Sequence, residues 1–77
     1  MVSKTLIQVP IGATVRIAGF EGGKALSSKL RQYGLFIGDR ARLLRLAPLA
    51  GPVLIEVNGR EIALGRAIAG KITVEAD

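Results

Sequence analysis

The sequence predicts a mainly β fold: a small five-stranded barrel with one helix inserted after the first strand and a helical turn before the last. Three features carry this prediction. Short apolar runs alternate with period two at close spacing. Asn58-Gly59 lies between two such runs and is the strongest short-range hairpin signal in the chain. Only Lys24 to Tyr33 carries helical spacing, with Leu26, Leu30 and Tyr33 at i, i+4 and i+7. Strands this short, joined by antiparallel turn chemistry, favour closure because closure removes exposed edges.

Leu6 to Val9 is a short apolar lead-in stopped by Pro10 and Gly12. Thr14 to Ala18 is the first strand, with Val15 and Ile17 inward and Arg16 outward. Gly19 and Gly22-Gly23 end it, which leaves Phe20 in a turn. On the helix, Ser27, Ser28, Lys29, Arg31 and Gln32 face out, and Glu21 stands before the start, where a carboxylate suits the positive helix end. Gly34 followed by Leu35 reads as a left-handed glycine stop with an apolar contact back onto the helix. Leu35 to Asp39 is a loop with a second glycine turn at Gly38.

Arg40 to Ala47 is extended, with Ala41 and Leu43 on one face and Arg40 and Arg42 on the other. Leu44 and Leu46 break this alternation, so either a bulge flips the register after Leu43 or both faces are covered there. Pro48 to Pro52 is a turn. Val53, Ile55 and Val57 point inward on the next strand, and Ile62 and Leu64 on its hairpin partner. Gly65 to Gly70 is long enough for one helical turn, and Ile72 and Val74 face inward on the closing strand.

Seventy-seven residues make one domain, spanning 1–77. The chain has no cysteine and no histidine. That excludes disulfides, thiolate and imidazole metal ligands, Cys- or His-dependent nucleophiles and the usual neutral-pH proton shuttle, so no enzyme activity and no cofactor is expected. The net charge of +5 invites an anionic partner. The charges are spread, however: only Arg40, Arg42 and Arg45 cluster, and Phe20, Tyr33 and Phe36 are the only aromatic residues available for stacking. Nucleic acid is therefore not expected as the partner. The N-terminus lacks a signal-peptide core, and the greasiest stretch, Leu43 to Ile55, carries Arg45, Pro48, Gly51 and Pro52. A cytoplasmic protein is expected, meeting a membrane only through a partner.

Gly22-Gly23-Lys24 precedes a helix but lacks phosphate-loop spacing, and position 25 is Ala; a tight strand-to-helix turn accounts for it. Arg16, Arg40, Arg42, Arg45, Arg60 and Arg66 are conceivable arginine fingers for a GTPase, although surface charge explains them more simply.

The larger pattern runs Gly12, Val15-x-Ile17, Gly22-Gly23, Leu26 with Leu30, Gly34-Leu35-x-x-Gly38, Ala41-x-Leu43, Pro48 with Gly51-Pro52, Glu61-Ile62-Ala63-Leu64 and Ile68-Ala69-x-x-Ile72-x-Val74. In order and spacing it resembles the ferrous iron transport protein A (FeoA) family, from about Leu6 to Glu75. Phe36 departs from it, an aromatic side chain where a smaller one is expected. The resemblance implies an SH3-like barrel with a helix after its first strand, and a small cytosolic accessory protein of ferrous iron uptake. Its implied partner is the membrane transporter FeoB, which carries a cytosolic GTP-binding domain. The module also resembles the C-terminal domain of metal-dependent repressors of the diphtheria toxin repressor type, but no helix-turn-helix accompanies it. Two alternatives stand beside this reading: a basic SH3-like nucleic-acid-binding module, and a stand-alone relative of that repressor domain. Self-association is left open.

Ferrous iron favours imidazole or clustered carboxylates. Histidine is absent and the acids are scattered; a solvated hairpin face accounts for Glu56 and Glu61 better than a ligand pair does, so no metal site is expected. For partner binding, Phe20, Phe36 and Leu49 sit in turns, where burial is least assured, and Leu26 lies on the edge of the helical stripe. With Arg40 and Arg42 as a cationic rim beside Phe36, these six form the expected recruitment surface.

Overall fold

A computed structural model describes residues 4–77. Strand β1 (Lys4–Thr5) and a 3-10 turn (Leu6–Gln8) lead into β2 (Thr14–Phe20) and helix α1 (Gly23–Gln32). Strands β3 (Arg40–Leu46), β4 (Val53–Val57) and β5 (Arg60–Leu64) form a meander, followed by the short helix α2 (Arg66–Ala69) and strand β6 (Ile72–Ala76). The strands make one antiparallel sheet in the order β1-β6-β2-β3-β4-β5, an SH3-like arrangement. Two expectations are corrected here. The sheet has six strands rather than five, because Lys4–Thr5 pairs with Val74 and Thr73. It is also open: β1 and β5 are its edges and do not pair, so the barrel is not closed by hydrogen bonds.

One face of the sheet carries the core. Val15, Ile17, Ala41, Leu43, Val53, Ile55, Val57, Ile62, Leu64, Ile72 and Val74 are buried, as the period-two pattern requires, and among the described residues no polar side chain joins them. Leu6 from the 3-10 turn, Val9 just after it, Leu30 from α1, Leu35 from the loop that follows α1, and Ala69 from α2 complete it. The register of β3 against β4 shifts between Leu43 and Arg45, so the bulge alternative holds and Leu46 packs on the core. A second bulge was not expected: β2 shifts register against β6 between Ile17 and Gly19. The strand consequently continues through Gly19, and Phe20 lies half-buried at its end, paired with Ile72, rather than in a turn.

Helix α1 ends in a complete glycine stop. Leu35 N–H donates to Leu30 O at 2.9 Å, and Gly34 N–H donates to Arg31 O at 2.9 Å, with Gly34 at φ +86°. Leu30 and Leu35, the apolar pair that accompanies this stop, are both fully buried. Tyr33, expected in the core stripe, is instead 41% exposed, because it is the cap residue where the chain leaves the helix.

The β4–β5 turn is as the sequence predicts, with Asn58 at φ +53° and Gly59 at φ +78°. Gly59→Val places a β-branched side chain at positive φ and is expected to cost about 1–3 kcal/mol. For a domain of this size that lowers Tm by about 5–20 °C. A thermal melt that does not move on this substitution would show that the turn tolerates the strain.

Candidate docking surface

The loop from α1 to β3 is short and stitched down. Phe36 N–H donates to Asp39 Oδ2 at 3.0 Å, and Asp39 N–H returns to Phe36 O at 3.1 Å. Gly38 N–H donates to Ile17 O and Ile17 N–H to Asp39 O, both at 2.8 Å, which fastens the loop to the middle of β2. Across the corner, Arg60 Nη2 donates to Gly34 O at 3.3 Å, a cation at the negative end of α1. On this fixed backbone Phe36 is 49% exposed and Ile37 65% exposed, next to half-exposed Tyr33. A folded chain gains nothing from wetting three large apolar side chains on an ordered loop, so the corner has the character of a contact surface.

The arginines follow from strand alternation. Arg40 and Arg42 lie on the outer face of β3, opposite the buried Ala41 and Leu43. In register with β2, Arg16 faces Arg40 and Thr14 faces Arg42. Asp77 Oδ1 accepts from both Arg40 Nε at 3.1 Å and Arg16 Nη2 at 3.3 Å, and Glu56 Oε1 pairs with Arg42 Nη2 at 3.2 Å. A shallow depression of about 340 Å³ opens beside them, lined by Thr14, Arg40, Ala41, Arg42, Glu56 and Asn58.

The β3–β4 tip is a tight turn from Pro48 to Gly51, closed by Gly51 N–H to Pro48 O at 3.1 Å. Its two central residues are Leu49 at φ +59° and Ala50 at φ +57°, so the left-handed positions fall on these residues and not on Gly51. Leu49 is fully exposed at this tip. Arg66 Nη2 donates to Ala47 O at 3.1 Å and braces the base of the hairpin.

The six expected residues therefore do not form one patch. Phe36 and Arg40 lie at the N-terminal end of β3, and Leu49 lies beyond its C-terminal end. The strand between them rises roughly 20 Å. Phe20 and Leu26 are half-buried and pack against the core. Tyr33, Ile37 and Arg60 join Phe36 at its corner, an association the sequence analysis did not make. The signal for it was Gly34: a left-handed residue turns the chain back over the helix end and gathers its neighbours there. Glu56 faces Glu61 across β4–β5, yet among the described residues no three carboxylates gather. No helix among them is long and apolar enough to cross a membrane.

The FeoA domain family matches residues 4–76, nearly the whole chain. The chain belongs to the FeoA family. A Methanocaldococcus jannaschii protein provisionally named Fe(2+) transport protein A is 34% identical over 64 residues, 83% of this chain and 76% of that one. The crystal structure of an iron uptake regulatory protein, also FeoA, superposes with a TM-score of 0.85 at 27% identity, over 97% of both chains. The fold recurs in larger proteins: a manganese-dependent transcriptional repressor superposes with a TM-score of 0.87 at 20% identity, over 97% of this chain and 42% of that one. ScaR, crystallised with bound Zn2+, superposes at a TM-score of 0.86 and 28% identity over 96% of this chain, which spans only 37% of ScaR. Ferrous iron transport is thus the family's business, and the SH3-like module is shared with a transcriptional repressor more than twice its length.

Proposed function

We propose that this FeoA-family chain is a non-enzymatic cytosolic accessory protein that docks on the GTP-binding, cytosolic part of the ferrous iron transporter FeoB. Family membership supports the transport context. The observation that carries the docking role is Phe36, half-exposed on a loop held by four backbone-directed hydrogen bonds. A rigid exposed aromatic loses little entropy on binding and is the kind of anchor on which interface affinity concentrates. Arg60, which donates to the Gly34 carbonyl at this corner, suits an acidic rim on the partner and sets association rate more than affinity. The nucleic-acid alternative is weakened by Asp77 and Glu56, which already engage Arg16, Arg40 and Arg42.

Co-purification with detergent-solubilised FeoB from the same organism is the direct test, and failure to co-purify under any nucleotide condition overturns the reading. Phe36→Ala is expected to weaken transporter binding by about 1–3 kcal/mol. Its melt should stay nearly unchanged, since half the ring is already in water. A stability loss of about 3–5 kcal/mol would instead be the signature of a buried ring, and Phe36 would no longer be a contact residue.

A further inference from the structure

We infer that the β3–β4 hairpin tip is a lipid contact: Leu49 and its neighbours enter the headgroup boundary of an anionic bilayer, and Arg45 meets the lipid phosphates behind them. This departs from the expectation that the chain meets a membrane only through a partner, and nothing in it depends on docking to FeoB.

The tip is apolar and ordered. From Leu46 to Ile55, ten consecutive residues carry no polar side chain. Pro48, Leu49, Ala50 and Pro52 are exposed there, Leu49 completely, so Leu49 contributes nothing to the core. Behind the Pro48–Gly51 turn, Ala47 N–H donates to Pro52 O at 3.0 Å and closes the hairpin. Leu49 at φ +59° and Ala50 at φ +57° occupy the two left-handed positions, where Asn or Gly is the usual choice. Backbone strain is thus accepted at a point where a large apolar side chain stands in water. Strain kept at an exposed site, with no gain to the core, points to a use outside the folded chain.

Charge is sorted along the sheet in the sense that such a contact needs. Glu75 shares a row with Arg16 and Arg40, and Glu56 and Glu61 share the row of Arg42. Asp77 binds Arg16 and Arg40, Asp39 precedes β3, and Glu21 follows β2 beside Lys71. All six acidic residues therefore lie in the row of Arg42 or on the Phe36 side of it. Toward the tip the charged residues are Arg45 and Arg66. Arg45 is exposed in register with Leu54, and among the described residues no carboxylate pairs with it. Arg66 stands at the hairpin base on the Ala47 carbonyl. An apolar apex backed by cations and free of acids is complementary to an anionic lipid surface.

The size and chemistry of the tip select a bilayer over other partners. Four exposed residues at the apex of a hairpin fall far short of the roughly 20–30 residues a side of a specific protein interface. A bilayer needs no matching pocket, and there apolar burial and attraction to anionic headgroups add. A nucleic acid would find no aromatic side chain to stack on between Leu46 and Ile55 and no polar side chain to read a base. One hairpin tip gives weak, reversible attachment, so it orients the chain on the membrane and does not anchor it. The Phe36 corner, at the other end of β3, stays free for a protein partner.

The chain has no cysteine, so Ala50→Cys carries a single environment-sensitive fluorophore at the tip, and Lys24→Cys carries one at the start of α1, at the far end of the molecule. With vesicles of phosphatidylcholine and phosphatidylglycerol in equal parts, at low salt, emission from the tip label is expected to shift to the blue and to be quenched by spin-labelled lipid. The label at position 24 should do neither. In the tip-labelled chain, Leu49→Asp should weaken vesicle binding about tenfold or more, the loss of one buried leucine. Arg45→Gln should weaken it about fivefold, and vesicles of phosphatidylcholine alone should bind more weakly than the mixture. Aspartate suits a left-handed position better than leucine does, so the first variant keeps the turn, and circular dichroism verifies that each variant folds. No shift at the tip, an equal shift at position 24, or full binding by Leu49→Asp overturns the inference. So does a tip shift that vesicles do not produce but another occupant does: FeoB in detergent when detergent alone gives none, a single-stranded oligonucleotide, or a rising concentration of the chain itself. FeoB is absent from the vesicle arms. Vesicle binding as expected with no FeoB capture overturns the docking reading alone; FeoB capture with no tip shift on vesicles overturns the lipid contact alone.

Discussion

Leu30→Ala is expected to cost about 3–5 kcal/mol and to leave much of the protein unfolded at 37 °C. Leu30 is the only fully buried side chain that α1 contributes, and it packs with Leu35 beneath the glycine stop. The helix has little to hold it otherwise. Ten residues, including Gly23, Ser27 and Ser28, are too few and too poor in helix formers to be stable alone. A domain of this length has a total stability of about 4–12 kcal/mol, so losing this one anchor consumes a large part of it. Urea denaturation followed by circular dichroism measures the effect. A midpoint close to that of the wild type would mean that α1 is held by its half-buried neighbour Leu26 instead.

The periodicity of the chain carried most of the fold, because each interior strand buries one face and alternation records that directly. Val53-Leu54-Ile55-Glu56-Val57 needs no tertiary information to be read. What escaped depends on pairing between distant segments. β1 is two residues long, has no period of its own and exists because it pairs with β6. Closure of the sheet depends on whether the edge strands meet, which no local pattern encodes. Gly19 looked like a terminator, yet a bulge let β2 absorb it and continue. Tyr33 kept helical spacing by sequence, but the chain had already begun to leave the helix there.

The candidate site was legible by residue type more than by grouping. Exposed apolar residues in loops and arginines on the outer face of β3 were both expected. Their separation was not, because turn residues carry no record of which end of the sheet they occupy, and β3 places Phe36 and Leu49 at opposite ends. The ion pairs escaped for the same reason: Arg16 and Asp77 are brought together only by the β2–β6 pairing. The β3–β4 tip shows a subtler failure. Pro48-Leu49-Ala50-Gly51-Pro52 announces a turn, and glycine is the natural left-handed residue, yet the positive φ angles fall on Leu49 and Ala50.

Gly34→Ala is the substitution expected to join stability and docking. Gly34 has φ +86°, where a Cβ costs about 1–2 kcal/mol. A second cost follows from what lies above it. A Cβ built at Gly34 runs into the guanidinium of Arg60, the group that caps α1 by donating to the Gly34 carbonyl. The arginine must swing away, and an exposed charge-assisted contact worth roughly 0.5–1 kcal/mol is lost with it. The total is about 1.5–3 kcal/mol, with the backbone strain the larger part. A double-mutant cycle in urea denaturation separates the two parts. Arg60→Ala alone removes the cap, and in that background Gly34→Ala should retain only its strain, so the two changes together cost less than their sum by about 0.5–1 kcal/mol. Strict additivity would show that Arg60 does not rest on Gly34. The same change moves the segment that presents Tyr33, Phe36 and Ile37, so Gly34→Ala should lose transporter binding beyond what its stability loss explains, whereas Gly59→Val, which strains the neighbouring turn but leaves that segment alone, should not.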